Sequence, residues 1–178
     1  MNSYSGYVTF PVADSSYNAS IFFWYFGRST KSFNIMVTQK AKQDAEARNN
    51  SSNAPTTIWM PGGPGASFLD GGENSFPCII NPDSNSSTLN EWSMNLNSNM
   101  LYIDMPVQTG YSYTEIQNGT FNTITKKFTP LDTANQTVVS NQTTFLATMS
   151  SQSQSRTANT TVQVAKQMWQ IAQVWFQE

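Results

Sequence analysis

A β-prone segment, Thr56-Thr57-Ile58-Trp59-Met60, runs directly into Pro61-Gly62-Gly63-Pro64-Gly65. Glycine lacks a Cβ, so such a turn can bend sharply and let a substrate approach its backbone N–H groups closely. N–H groups held there can stabilise an oxyanion as it develops in acyl transfer. The plain alternative is a tight structural turn. The other parts of a serine-type acyl-transfer site are missing from these residues. The chain holds no histidine to act as general base and no G-x-S-x-G pentapeptide to carry a nucleophile. Its one cysteine, Cys78, reads either as a small buried apolar residue or as half of a disulfide whose other half lies outside this chain. No metal site and no cofactor is expected.

The elements that would position the turn follow from local pattern. Tyr4–Phe10 and Ser20–Phe26 are rich in aromatic and β-branched residues and read as strands. Met100–Ile103 is a continuous apolar run, as expected of a strand covered on both faces. Lys40–Asn53 has the composition of a short exposed helix, and 49–55 reads as a loop. Thr114–Ser155 is dense in Ser, Thr, Asn and Gln and reads as long loops with little core. From about Thr160 to Glu178, Ala165, Met168, Trp169, Ala172, Val174, Trp175 and Phe176 recur mostly at helical spacing, with Asn159 or Thr160 as cap. Strands followed by an amphipathic helix make the fold class α/β, with a sheet that needs more chain to complete it.

Composition narrows the partners. The chain has 178 residues, a 38% apolar share that can bury a core, 11% charged residues and a net charge of −2. It has no basic stripe for nucleic acid and no apolar run of roughly 20 residues to span a membrane. Met1–Gly6 has neither a basic n-region nor an apolar h-region, so no signal peptide is expected in the chain as given. Eight Asn-x-Ser/Thr triplets, at Asn18, Asn49, Asn50, Asn85, Asn118, Asn135, Asn141 and Asn159, are candidate glycosylation sites. A merely polar composition is the other reading of them.

Four segments carry a resemblance. They are Trp59–Ser67 (WMPGGPGAS), Gly72-Glu73-Asn74, Asn90–Asn95 (NEWSMN) and Asn99–Val107 (NMLYIDMPV) with Gly110-Tyr111-Ser112-Tyr113. In this order the chain resembles the serine carboxypeptidase family, whose members carry W-x-N-G-G-P-G-x-S, E-x-G-P, S-W-N and N-x-L-x-x-D-x-P-x-G-x-G-[FY]-S-Y. The dense match, Thr57–Tyr113, covers about a third of the chain. The flanking strands and last helix agree more loosely and look closest to fungal members.

The resemblance implies an incomplete α/β-hydrolase fold: N-terminal strands, the Gly-rich oxyanion loop and the helix leading to the nucleophile strand. It makes residues 1–178 the N-terminal part of one domain that stops before the nucleophile. The parent activity would be serine-type release of C-terminal residues from peptides, in a secreted or vacuolar setting, with the chain inactive alone. Gly63 would supply an oxyanion N–H, Gly62 would help hold the substrate carboxylate, and Trp59 would line the substrate site unless it is simply packed. Glu73 would pair with a second carboxylic acid near the nucleophile, or is a solvated loop acid. Pro61 stands where the family has an Asn that donates to the substrate carboxylate, and proline has no side-chain donor. Ala66 replaces a disulfide cysteine of many members, Gln108 replaces a glycine, and Asn74–Pro77 loosens the E-x-G-P match. A non-catalytic secreted relative, and a relative turned to acyl transfer or ester hydrolysis, are the other readings. A hydrolase piece by itself would leave a strand edge and an apolar helix face uncovered, so poor solubility is expected.

Overall fold

A computed structural model of the chain describes residues 3–13, 15–28, 54–70, 72, 75–131 and 140–177. Its principal sheet has four strands in the order β1 (Ser3–Pro11), β2 (Asn18–Phe26), β6 (Asn99–Ile103), β3 (Thr56–Trp59). β1 and β2 form an antiparallel pair from Ser3↔Phe26 to Pro11↔Asn18. Pro11, which cannot donate to a ladder, ends this edge strand. β2 runs antiparallel to β6, and β3 runs parallel to it, Thr56↔Asn99 through Trp59↔Tyr102. Carboxyl ends of β3 and β6 therefore share one edge of the sheet.

Period-two alternation explains why SIFFWYF is apolar throughout. Ile21, Phe23 and Tyr25 join a cluster with Val8, Phe10, Leu101 and Ile103 on one face. Phe22, Trp24 and Phe26 join Met100 and Tyr102 on the other. The first face is covered by α1 (Thr161–Trp175), the one α-helix among the described residues. The second is covered by Phe68 and Phe76 from the loop segments after β3. That aromatic layer is close-set: Trp24–Phe26 centroids lie 4.7 Å apart and Phe76–Tyr102 4.9 Å apart.

Tyr102 is fully buried, and its hydroxyl donates to the Ser75 carbonyl at 2.8 Å. Burial pushes this phenol above its ordinary 10.0, outweighing the opposing effect of the Ser75 side chain. The folded state therefore keeps its proton to higher pH than the unfolded chain. Stability from this group is present in full below about pH 10 and is lost as pH rises through the higher folded pKa. Urea midpoints measured between pH 9 and 11 are expected to fall more steeply for the native chain than for Tyr102→Phe; equal slopes would remove Tyr102 from the account.

α1 begins as expected. The Thr160 hydroxyl accepts from Gln163 N at 3.2 Å, and Gln163 Oε1 accepts from Asn159 N at 2.7 Å. Its buried stripe differs from the apolar reading, however. Val164, Gln167 and Ile171 are the buried positions, whereas Ala165 is exposed and Trp169 is 66% exposed. Gln167 Oε1 accepts the Val107 N–H at 3.2 Å, which anchors the loop after β6, while its Nε2 is buried with no partner among the described residues.

The larger correction concerns Thr114–Ser155. This segment contains an antiparallel sheet, order β8 (Lys127–Pro130), β7 (Ile116–Asn122), β9 (Thr144–Ser150). It holds with little apolar burial: Leu146 is 63% exposed. Backbone ladders and cross-strand pairs such as Phe121↔Phe128 do the work that core patterning does elsewhere, so no apolar alternation marked it. A small hairpin, β4 (Cys78–Ile80) with β5 (Ser87–Leu89), was likewise unmarked. The helix expected over Lys40–Asn53 lies outside the described residues.

Candidate functional site

The carboxyl edge of β3 and β6 brings the glycine turn and one buried acid together. Asp104, fully buried, follows β6 directly. Its Oδ1 accepts from Ser67 Oγ at 2.8 Å and from Phe68 N at 2.9 Å. Its Oδ2 accepts from Tyr111 N at 2.9 Å. The main chain is pinned as well: Asp104 N donates to Phe22 O at 3.1 Å, and Ser112 Oγ donates to Asp104 O at 2.8 Å. One carboxylate thus fastens the return limb of the glycine turn to β6 and to Gly110–Tyr111. Hydrogen bonds to an ionised acceptor are the strong kind, and burial strengthens them further.

The turn itself is exposed from Gly62 to Ala66. Gly63 has φ +133° and Gly65 φ +124°, values that side chains strain to adopt. A Cβ at Gly62 would meet nothing within 4 Å, so space lies open over that backbone. Among the described residues, none accepts a hydrogen bond from the Gly63 N–H. An exposed N–H on a turn held from behind by a buried acid can receive an anionic or developing negative oxygen.

The remaining expected site residues fall as follows. Trp59 is half-buried, with its ring 5.7 Å from Tyr102 at the edge of the aromatic layer. Glu73 lies outside the described residues; Ser75, two residues on, donates from both its N and Oγ to the Gly72 carbonyl. Cys78 is a half-buried free thiol in β4, paired across the hairpin with Leu89. Asn18, Asn85, Asn118, Asn141 and Asn159 are exposed, while Asn49, Asn50 and Asn135 lie outside the described residues. No group of three or more His, Cys, Asp or Glu that could hold a metal occurs among the described residues. No described helix is long and apolar enough to cross a membrane.

Two features escaped the sequence reading. Asp104 stood in a matched motif without a role; the available signal was an acid placed directly after a fully apolar strand. Gln108, where a glycine was expected, has φ +73° and keeps that backbone shape. Its Nε2 donates to the Ser153 and Arg156 carbonyls at 3.1 and 3.2 Å, ties that offset the strain of a side chain in the left-handed region.

Comparison with known proteins agrees with this geometry. Residues 1–178 match the family model described as serine carboxypeptidase. The whole chain aligns with carboxypeptidase S1 homolog A of Arthroderma benhamiae at 38% identity, covering 26% of that protein. It aligns with carboxypeptidase S1 homolog B of Arthroderma otae at 39% identity, again covering 26% of the relative. A vitellogenic carboxypeptidase of Aedes aegypti matches 67% of the chain at 36% identity, over 21% of its own length. The chain therefore spans about a quarter of the length of the fungal relatives it matches.

Proposed function

Because this chain belongs to the serine carboxypeptidase family, a membership that implies an α/β-hydrolase fold, we propose that residues 1–178 are the N-terminal part of one hydrolase domain whose complete form releases C-terminal residues from peptides. The observation that carries this reading is the exposed Gly63, whose N–H has no acceptor among the described residues, on a turn held by Asp104. Gly63 N–H would take one side of the oxyanion, and the residue after a nucleophilic serine the other. Gly62 would lie against the substrate carboxylate, Trp59 would border the site, and Glu73 would share a proton with a second acid. Serine, aspartate and histidine of the triad would come from residues beyond Glu178, so the chain by itself is expected to leave peptides intact. Exposure of five Asn-x-Ser/Thr sites supports a glycosylated protein of a secreted or vacuolar compartment.

The test uses the expressed protein that carries this chain together with a downstream G-x-S-x-G. Gly63→Ala, forced from φ +133°, is expected to lower kcat by about 10²- to 10³-fold on an N-blocked dipeptide, the loss typical of one oxyanion donor, with KM little changed. An unchanged kcat removes Gly63 from the oxyanion hole. Pro61 favours a second reading, acyl transfer or ester hydrolysis, because it offers no side-chain donor to a terminal carboxylate. Turnover of N-blocked esters without turnover of peptides bearing a free C-terminus would select it.

A further inference from the structure

A cleft of about 280 Å³ opens where the principal sheet meets the β7–β9 sheet. Tyr7 of β1, Tyr111 and Tyr113 line one side; Ile116, Met149 and Ser150 line the other. Its aromatic wall is tied to the glycine turn, since Tyr111 N donates to the same Asp104 carboxylate that holds Ser67 and Phe68. Tyr113 is fixed separately: its N and O exchange 2.9 Å hydrogen bonds with Ser20 of β2.

The lining describes its ligand. Ring centroids of Tyr7–Tyr113, Tyr7–Phe22 and Phe22–Tyr111 lie 5.2, 5.5 and 5.2 Å apart in tilted or edge arrangements, the spacing at which a further ring packs favourably. Tyr7 is nevertheless 46% exposed, Tyr111 56% and Ile116 55%. Adjoining aromatic and aliphatic surface left to water is the mark of a binding site more than of a core. The volume falls just below the range of about 300–1,000 Å³ typical of small-molecule sites, which suits one bulky side chain.

Among the described residues, no Asp, Glu, Lys or Arg lines the cleft. Burial first, then Tyr113, Tyr111 and Asp104, hold the Tyr7 hydroxyl above its ordinary value, so it stays a neutral hydroxyl there. A terminal carboxylate would find no cationic partner among the described residues that line this cleft. The Ser150 hydroxyl is buried and has no hydrogen-bond partner among the described residues, which leaves a polar group for a ligand's backbone amide.

We propose that this cleft is a subsite for an uncharged aromatic side chain of an extended polypeptide, separate from the Gly63 turn and coupled to it through Asp104. It deepens the peptidase reading and rests on it for the polypeptide. The test is methyl NMR of the expressed protein that carries this chain, with labels at Ile116 and Met149. N-acetyl-phenylalanine methylamide, blocked at both ends, should shift both methyls saturably. The alanine and lysine analogues should bind at least fivefold more weakly. Tyr111→Ala, which keeps the backbone bond to Asp104, should weaken binding at least fivefold, and Ile116→Trp, filling the mouth, should abolish it. Absence of methyl shifts, equal binding of the three amides, preferred binding of the lysine amide, or a response to methyl glucoside alone overturns the subsite. Saturable binding by a protein that hydrolyses no peptide keeps the subsite and sinks the peptidase reading; hydrolysis without methyl shifts does the reverse.

Discussion

Replacing Asp104 with alanine is expected to destabilise the fold by about 3–5 kcal/mol, more than most single changes. The carboxylate is fully buried and accepts from Ser67 Oγ, Phe68 N and Tyr111 N. Hydrogen bonds to a charged group contribute about 1.5–3 kcal/mol each, and a buried donor left unpaired costs about 1–3. The Ser67 hydroxyl can turn to water and the Tyr111 amide is only part-buried, but the buried Phe68 amide cannot, so the sum stays below three full bonds. Urea midpoints give the size of the loss. Amide hydrogen exchange gives its place: Phe68 and Tyr111 should lose protection ahead of β6. Asp104→Asn should lie between, since its NH₂ group must face one of these donors. A loss under 1 kcal/mol for the alanine variant would show that the turn is held by something other than this acid. The functional consequence is direct, because the limb that loosens is the one that sets the Gly63 turn.

Gly110→Ala is expected to cost about 3 kcal/mol for a steric reason at the same point. A Cβ at Gly110 would collide with Asp104 Oδ2, and would lie 2.6 Å from its Cγ and 2.7 Å from Ser67 Oγ. Asp104 cannot yield without giving up its hydrogen bonds. Overpacking of this kind costs about 1–3 kcal/mol. The left-handed φ of +53° adds roughly 1 kcal/mol for a residue with a side chain. Gly62→Ala is the control, for its Cβ would meet nothing within 4 Å, and its effect should stay within about 0.5 kcal/mol. Thermal melts of the two variants side by side settle the matter: similar melting temperatures would mean that Gly110 has room the geometry denies.

Both results concern a contact that sequence pattern alone did not expose. SIFFWYF and MLYI were legible as strands because a strand covered on both faces must be apolar throughout, and the structure covers each on both. The glycine turn was legible because only glycine suits its backbone. The helix start was legible because Thr160 is chemically suited to cap it. The β7–β9 sheet was not, because its strands are held by ladders between exposed and half-buried faces, and Thr, Asn and Gln serve a ladder as well as they serve a loop. Nor was the burial of Gln167, since its place inside depends on one amide of a distant loop.

The sequence by itself determined the family, the strands, the helix and the turn that carries Gly63, since these rest on local periodicity and on residue types with few conformational options. Only the tertiary structure decided that Asp104 reaches back 37 residues to Ser67 and forward 7 to Tyr111. It alone decided that Tyr7, Tyr111 and Tyr113 share one cleft with the β7–β9 sheet. A hydrogen bond or a cavity wall depends on where the chain brings its parts together, and spacing along the sequence does not encode that distance.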